Sequence, residues 1–563
     1  MIMARNEDGT YSQVGFVKDN VGIDTEYIYD KDGDIVFEKG FTRETSGTVP
    51  LTINGIEKDL KDWSITGNTV QNGTPTPENP VEVVGVGDRT GNLFDNSLLE
   101  QGGWKATAGT IPTKLLPGET NYTHRTRYNQ IIPLLASTLS LYCPANIKIN
   151  YVWIDANGIS LGGSGYQKNG DTATAPEQAV SMTFILGLDS DIECTPSDFS
   201  DINLVAGSIA PESYEPYGYK IPVVTRGKNL LEPIGFSAQI ITNINDYRIK
   251  TNNNGTSLST VYGGSVLVTQ TNQIDTTTSY VNGVFYIVVD FSKFTTGKNY
   301  ILSFDYEIKE KHSVQGNSIA YIGNSTSPTK IYGDWGKDGR KSATFTVEEG
   351  FKPYIAIRLC GNSIFVSNIQ IEEDSTATPY EAYHEPITTP IYLDSPLYKI
   401  GDYADSINYT EQKVERVVKE LVLTGKENWY YMPKYDVENT VRIHSSEILP
   451  DRKGTMLDLC SHFERMDYHS LNVSNKPAFS IASGTQLVFR VSKAEGSAVI
   501  YFKSYLAAQY AAGTPVKVYY VLATPETKTV EPVEIPTLNG TTVIDVDTAV
   551  KPTEMYTKYK SSK

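Results

Sequence analysis

A pair of short motifs occurs twice along the chain, and an internal repeat of this kind constrains the architecture more than any local pattern. The opening motif reads Gly91-Asn92-Leu93-Phe94 in the first copy and Gly227-Lys228-Asn229-Leu230-Leu231 in the second. The closing motifs are Ile202-Asn203-Leu204 with Tyr214-Glu215-Pro216-Tyr217, and Ile369-Gln370-Ile371 with Tyr380-Glu381-Ala382-Tyr383. The repeat therefore predicts two long modules that begin and end in the same way.

Within both modules, apolar and polar side chains alternate over segments of strand length. The apolar phases are Ile147, Ile149, Tyr151 and Trp153, then Val180, Met182, Phe184 and Leu186, and in the second module Leu302, Phe304, Tyr306 and Ile308. Two antiparallel sheets packed face to face would bury these stripes. Each module is therefore predicted to be a β-sandwich of the jelly-roll type.

The composition extends this interpretation to the whole chain. A length of 563 residues is more than one hydrophobic core usually supports, so several domains in series are expected. The 37 tyrosines and 45 glycines favour pleated strands and tight turns. The predicted fold class is all-β, multidomain, with tandem antiparallel sandwiches.

One helix is predicted in the C-terminal module, over residues 497–512. Phe502, Leu506 and Tyr510 are spaced four residues apart and would share one helical face, and Gly513 follows where a glycine commonly ends a helix. This face either covers a sheet, which we favour, or forms a groove for a partner.

The predicted division of the chain has seven segments. They are a small N-terminal β unit (1–45), an extended connector (46–90), the first sandwich (91–220), the second sandwich (227–385), a linker (386–420), a C-terminal α+β or sandwich module (421–526) and a β tail (527–563).

Three local patterns support this division. A hairpin is predicted where Tyr27-Ile28-Tyr29 and Ile35-Val36-Phe37 flank an Asp-Gly turn. The connector contains three prolines between 75 and 80, which cannot lie in a central strand. Residues 402–421 are either a short helix or an edge strand, and their β-branched valines favour the strand.

Charge and motif content argue against several classes of function. The net charge is −17 without a basic stripe, so neither nucleic acid nor an anionic membrane is expected as a partner. No apolar stretch of bilayer length and no signal peptide is found, and we expect a soluble protein made in the cytoplasm.

Metal and cofactor sites are not indicated either. The four cysteines form no C-x-x-C pair and are expected to be buried: Cys143, Cys194, Cys360 and Cys460. The histidines form no H-E-x-x-H motif, and the acidic turn at 30–34 does not fit a calcium loop. No cofactor or metal site is therefore predicted, and a structural calcium ion stays an open alternative that no motif indicates.

Taken together, the repeated motifs resemble those of a known group of proteins. An N-L-F/L opening, a long β region and a closing I-x-L/I followed by Y-E-x-Y are similar to the carbohydrate-binding-like jelly rolls in tail and minor structural proteins of phages that infect Gram-positive bacteria. The stretches 421–429, 518–525 and 535–540 resemble the C-terminal modules of the same proteins.

The resemblance implies a virion protein of the tail fibre or baseplate, commonly a homotrimer, with other virion proteins and host cell-wall polysaccharide as partners. The N-terminal unit is the expected anchor, because the connector behind it would let the distal modules move. An alternative is a purely architectural head fibre, capsid decoration or adaptor protein.

Glycan binding would require an aromatic ring beside polar side chains, because the C–H faces of sugars stack on Trp or Tyr. The candidate ligand-binding residues are Trp335, Trp104, Trp429 and Tyr430. Trp335 is favoured because it lies in a glycine-flanked predicted loop, 332–336. Trp153 belongs to an apolar phase and is assigned to the core.

Enzymatic activity is not predicted, although phage fibres can carry glycan depolymerases. That chemistry needs two carboxylates placed on either side of a glycosidic bond, and nothing in the spacing of the 66 acidic residues identifies such a pair. The sequence also has no G-x-S-x-G motif for acyl transfer.

Overall fold

The computed structural model describes residues 64–231, 294–309, 338–347 and 365–553, and elsewhere the backbone of individual strands. Within those ranges the exceptions are positions 135, 409, 410, 447, 450, 455, 456, 483, 495, 534, 537 and 539. The described chain is mostly β and forms many antiparallel sheets, with helices at Tyr468–Asn472 and Ala498–Ala511. The predicted class of tandem β-sandwiches with a helix in the C-terminal module is confirmed.

The first sandwich consists of a larger and a smaller sheet. The larger sheet contains Leu99–Gln101, Thr126–Tyr128, Ile132–Pro133, Ser181–Leu188, Ile147–Ile154 and Ser160–Gln167. The smaller contains Thr172–Thr174, Thr138–Tyr142 and Asn203–Ala206, and a hairpin of Trp104–Lys105 with Thr113–Lys114 is separate from both.

The core of this sandwich follows the predicted alternation. Ile147, Ile149, Tyr151 and Trp153 are all buried in one cluster with Phe184. Trp153 is therefore a core residue, as predicted. Val180 departs from the prediction and is exposed, because it precedes the strand that begins at Ser181.

The second sandwich also has two sheets. One contains Thr256–Val261, Ser265–Gln270, Ser363–Glu372, Asn299–Glu310 and Gly339–Thr346. The other contains Val284–Val288, Tyr354–Arg358, Ser318–Ile322 and Thr329–Tyr332. Leu302, Phe304 and Tyr306 are buried as predicted, whereas Ile308 is half-buried near the end of its strand.

The third sandwich packs two sheets and a helix around one aromatic core. Its sheets contain Trp429–Tyr431, Thr440–Ser445, Gln486–Ser492 and Ala478–Ala482, and on the other side Leu459–Cys460, Val516–Thr529, Lys413–Leu423, Ser406–Asn408 and Ser64–Thr66. Lys413–Leu423 confirms the strand interpretation of this segment, but it is a central strand and not an edge.

The helix Ala498–Ala511 confirms the prediction, and Gly513 has the left-handed φ of 77° that favours glycine after a helix. Phe502 and Leu506 are buried against the sheets. Tyr510 is exposed, contrary to the expected shared face, because it lies in the last turn, beyond the sheets. The helix therefore covers the core through two of the three predicted residues.

A central β unit joins the sandwiches and is assembled from segments far apart in sequence. Its main sheet contains Asp88–Arg89, Tyr219–Gly227, Ile387–Leu393, Gly540–Val546, Lys558–Ser561, Pro50–Ile53 and Ile56–Asp59. Two short antiparallel pairs lie close to strands of this sheet in sequence. They are Thr69–Val70 with Val84–Gly85, and Lys399–Ile400 with Tyr403–Ala404.

Residues assigned in sequence to the connector, the linker and the tail share the core of this unit. They include Ile65, Val86, Leu397, Ile407 and Ile544. Strand Tyr219–Gly227 leaves the first sandwich and leads into the second. Both sandwiches are thus insertions between strands of one sheet, while the predicted boundaries of the seven segments stay predictions.

The proline-rich connector is held against the third sandwich. Gln71 Nε2 donates to the carbonyl of Cys460 at 2.9 Å, and the hydroxyl of Tyr505 donates to the carbonyl of Pro77 at 3.1 Å. Contrary to our expectation of a free linker, this part of the connector is hydrogen-bonded in place.

The N-terminal segment contains the predicted hairpin, in which Asp24–Tyr29 pairs with Ile35–Phe41. Met3–Arg5, Tyr11–Gln13 and Val17–Lys18 extend the same sheet. Of the cysteines, Cys143, Cys194 and Cys460 are buried free thiols, as predicted. Cys360 lies outside the described residues.

The repeated opening motif places a buried asparagine between the first and last strands of each sandwich. Asn92 Nδ2 donates to the carbonyls of Ile202 and Glu215, both at 2.9 Å. Its Oδ1 accepts from the amides of Phe94 and Leu204 at 2.9 and 3.0 Å. All four hydrogen-bonding positions of the amide are used, and we call this arrangement the first clasp.

Asn229 makes the same four bonds in the second sandwich, which we call the second clasp. Its Nδ2 donates to the carbonyls of Ile369 and Glu381 at 3.5 and 3.1 Å. Its Oδ1 accepts from the amides of Leu231 and Ile371 at 3.0 and 3.2 Å. The sequence repeat therefore encodes a repeated closure of the sandwich.

Candidate functional site: an aromatic platform on the first sandwich

The outer face of the larger sheet in the first sandwich carries an exposed aromatic ring near one edge. Strand Ser160–Gln167, of sequence Ser-Leu-Gly-Gly-Ser-Gly-Tyr-Gln, forms that edge. Three of its residues are glycines, and a Cβ at Gly163 would lie 2.7 Å from Asn150 Oδ1, so a larger residue there would displace the Asn150 side chain. Tyr166 is the one aromatic side chain of this edge strand.

The register of the sheet fixes the neighbours of this tyrosine. Tyr166 is directly opposite Asn150, which is opposite Ile185 on the next strand. In the adjacent row Gly187 is opposite Lys148. A Cβ at Gly187 would lie 3.4 Å from both Lys148 Cε and Arg125 Nη1, so the two cationic side chains occupy the space above this glycine.

Both cations lie against the tyrosine ring. Arg125 Cζ is 5.5 Å from the ring centroid and Lys148 Nζ is 5.0 Å from it, within the range of cation–π attraction. Tyr166 nevertheless stays 38% exposed. The ring is therefore held in position by the sheet and remains accessible to a ligand.

Asp191 completes the group, which we call the Tyr166 platform: Tyr166, Arg125, Lys148, Asn150 and Asp191. The carboxylate of Asp191 accepts a hydrogen bond from Arg125 and lies 3.9 Å from Lys148 Nζ. Its side chain is 52% exposed. The loop reaches this position through Ser190 and Asp191, whose φ angles of 66° and 56° are left-handed.

The charges of the platform are defined at neutral pH. The hydrogen bond from Arg125, together with its charge, lowers the pKa of Asp191. Burial raises the pKa of Tyr166 although Arg125 opposes this effect, so the phenol keeps its proton. A protonated phenol ring and an ionised, exposed carboxylate are thus presented side by side.

This arrangement suits the recognition of a sugar. A positioned ring can stack on the apolar C–H face of a pyranose, and an adjacent carboxylate can accept hydrogen bonds from its hydroxyl groups. Because Tyr166, Lys148 and Asn150 lie on strands of a sandwich, much of the platform is held by packing and not by a loop alone.

The tryptophans predicted from the sequence lie elsewhere. Trp335, the favoured candidate, is outside the described residues. Trp104 is half-buried in the short hairpin with Thr113–Lys114, and its Nε1 donates to the carbonyl of Tyr128 at 3.0 Å. Ligand binding by either residue stays a prediction.

The two candidates of the third sandwich have different surroundings. Trp429 is 8% exposed, and its ring is 5.0 Å from Phe502 and 5.7 Å from Phe489 in edge-on contacts, which is a packing role. Tyr430 is exposed and lies beside His444, with ring centroids 5.3 Å apart. The structure does not bring Trp104, Trp429 and Tyr430 together, and their ligand binding stays a prediction.

Tyr166 is not among the residues predicted from the sequence, for a physical reason. The predicted residues are tryptophans and a tyrosine near a turn, whereas Tyr166 lies within a glycine-rich strand that does not alternate. The usable signal was the triple-glycine strand itself, since glycine in a strand often marks close approach of another group.

Neither a metal-binding cluster nor a membrane-spanning helix is found in the part of the chain that the structure describes. Among the residues that the structure describes, no cluster of three or more His, Cys, Asp or Glu side chains could hold a metal ion. In the same part of the chain, no helix is both long enough and apolar enough to cross a bilayer.

The chain was also compared with known proteins. A solved structure similar to it is the N-terminal CBM22-1-CBM22-2 tandem domain of Xyn10C from Paenibacillus barcinonensis, with 14% identity and a TM-score of 0.19. The match covers 45% of this chain and 80% of that one, and at this TM-score it carries no argument. No family model and no curated protein matches the chain.

Proposed function

We propose that the chain is a structural protein of a bacteriophage virion, a tail-fibre or baseplate component that binds polysaccharide on the host cell. The observation that carries glycan binding is the Tyr166 platform, an exposed ring held beside an ionised carboxylate. The virion role rests on the resemblance of the clasp motifs to those of phage tail proteins. Other virion proteins are the proposed partners, and a homotrimer the proposed assembly.

The placement of the sandwiches supports a role in display. The first sandwich leaves the central unit at Asp88–Arg89 and returns at Tyr219–Gly227, so both of its ends are held in one sheet. A module fixed at one end in this way presents its other surfaces outward. The proposal includes no catalytic step.

The glycan-binding part of the proposal is tested by measuring binding of the full-length protein to Gram-positive cell walls and to an array of bacterial polysaccharides. We expect saturable binding that Tyr166→Ala weakens about tenfold, the effect of losing one well-placed stacking contact. Tyr510→Ala is the matched control, because Tyr510 is similarly exposed on a helix of the third sandwich.

Equal binding by the Tyr166→Ala and Tyr510→Ala variants would contradict the assignment of glycan binding to the Tyr166 platform. The absence of any binding by folded protein would favour the architectural alternative of a head fibre, capsid decoration or adaptor. Shortening of the bound polysaccharide would instead indicate a depolymerase. Absence of the chain from purified particles of the phage that encodes it would overturn the virion role.

A further inference from the structure

Lys148 offers an unused cationic donor directly beside the exposed ring. Its side chain is only 15% exposed, and the neighbouring carboxylate oxygen of Asp191 lies at 3.9 Å, beyond hydrogen-bonding distance. Among the residues that the structure describes, none accepts a hydrogen bond from the ammonium group of Lys148. An ammonium group has three hydrogen-bond donors, so Lys148 can donate to an acidic or hydroxyl group of a ligand.

The charges around the ring do not balance. Arg125 and Lys148 are two cations, and among the described residues Asp191 is the one carboxylate that pairs with them. The platform thus has a net charge of about +1 on a chain whose total is −17. At the nearby Lys168–Asp189 pair, in contrast, one cation meets one carboxylate at 2.9 Å and the charges cancel.

We infer that the Tyr166 platform selects an acidic polysaccharide, with Lys148 binding its carboxylate or phosphate while Tyr166 stacks on a sugar ring. This inference rests on the glycan-binding function proposed above. The spacing supports it, because the ammonium group lies 5.0 Å from the ring centroid, so one sugar and its acidic substituent can contact both. Asp191 then limits the affinity, since it repels the same negative group.

Three polymers distinguish the chemistry of the ligand. Polygalacturonate supplies a carboxylate on each sugar, its fully methyl-esterified form supplies the same backbone without charge, and polyglycerol phosphate supplies phosphate. Binding of each to the full-length protein is measured by titration at low and at high ionic strength. The variants are Lys148→Gln, Asp191→Asn and, as the matched control, Lys168→Gln.

Opposite effects are expected from the two platform variants. Lys148→Gln should weaken binding of the acidic polymer about tenfold, as the loss of one charge-assisted hydrogen bond predicts. Asp191→Asn should strengthen it about threefold, because the asparagine oxygen can still accept from a sugar hydroxyl while the repelling negative charge is removed, and asparagine tolerates the left-handed backbone at this position. Lys168→Gln and the esterified polymer should show neither effect, and salt should weaken only the acidic ligands.

The outcomes separate this inference from the proposed function. If the wild-type protein binds the charged and esterified polymers equally, or if Lys148→Gln behaves like Lys168→Gln, acidic selection is overturned. Glycan binding would still stand if Tyr166→Ala weakened binding to a neutral polysaccharide. If only polyglycerol phosphate responds to both platform variants, the acidic group is phosphate. If no polysaccharide binds at all, both proposals fail.

Discussion

The asparagines of the two clasps make the same hydrogen bonds, but the glutamates beside them have different partners. Glu215 of the first clasp accepts from the amide of Gly91 at 2.9 Å and pairs with Lys220, so its bonds reach no further than the strand Tyr219–Gly227 that directly follows the first sandwich. Glu381 of the second pairs with Lys228 at 2.9 Å and accepts from the amide of Thr541 at 2.7 Å. The second clasp therefore also binds the C-terminal strand Gly540–Val546.

The residue before each asparagine explains the difference. Gly91 has no side chain, so its backbone amide meets the glutamate directly. Lys228 occupies the same position in the second copy, and its side chain is only 4% exposed, so it requires a carboxylate partner. The asparagine is thus the constant part that closes a sandwich, and the glutamate is the variable part that connects it to the rest of the molecule.

The largest effect is expected from removing the asparagines. Asn92→Ala and Asn229→Ala should each cost at least about 3 kcal/mol, because several buried backbone groups lose their partners. Hydrogen exchange of residues 202–216 and 369–383 should increase only in the sandwich that carries the change. Asn475→Ala, at an exposed position, is the control. A difference of more than about 1 kcal/mol between the clasps would break their equivalence.

A smaller and unequal effect is expected from the glutamates. Glu381→Gln should cost about 2 kcal/mol, because it leaves the buried Lys228 without a carboxylate. Glu215→Gln should cost less than about 1 kcal/mol, since Lys220 is about one-third exposed. Denaturant unfolding measures the loss of unfolding free energy in both variants. Adding Lys228→Met to the Glu381→Gln variant should recover part of its loss. Equal losses at the two sites would remove the distinction between them.

Acid should affect the second clasp through the same glutamate. Burial alone would raise the pKa of Glu381, but the hydrogen bonds from Thr541 and Lys228 outweigh it and lower the pKa. The stabilisation is therefore complete above the ordinary glutamate pKa and is lost as the pH falls through the lowered value. The protection factors of amides 540–546 against hydrogen exchange should fall in acid for the wild type, whereas the Glu381→Gln variant should lack this component. A pH profile unchanged by that substitution would contradict the assignment.

The smallest effect is expected from one hydroxyl. Thr541 Oγ1 donates to Glu381 at 3.0 Å, and Thr541→Val removes this bond while keeping the one from the backbone amide. A loss of about 1 kcal/mol is expected. Thr541→Ser keeps the hydroxyl and should unfold at nearly the wild-type denaturant concentration. Should serine and valine be equally destabilising, the methyl group and not the hydrogen bond would be responsible.

The sequence contained the positions of both clasps but not their roles. Asn92 and Asn229 could be aligned because their motifs repeat, and Gly513 marked the end of the helix. The central unit could not be predicted, because alternation identifies a strand but not its partner. Tyr219–Gly227 pairs with Gly540–Val546 across more than three hundred residues.

The candidate site was harder to predict than the fold. Tyr166 is one of 37 tyrosines, and its neighbours Arg125, Lys148 and Asp191 come from three other segments. The register of the sheet and the turn at Asp189–Asp191 bring them together. The tryptophans selected from the sequence were chosen by residue type, which indicates a capacity for stacking but not exposure.

The insertion of both sandwiches into one sheet also sets the order in which the chain can fold during synthesis. Each sandwich closes on residues of its own segment, so it can form while the ribosome is still adding later residues. Strand Tyr219–Gly227 must wait for Gly540–Val546, which is synthesised more than three hundred residues later. A truncated translation product would therefore contain closed sandwiches with an unpaired strand edge between them, the kind of edge that promotes aggregation.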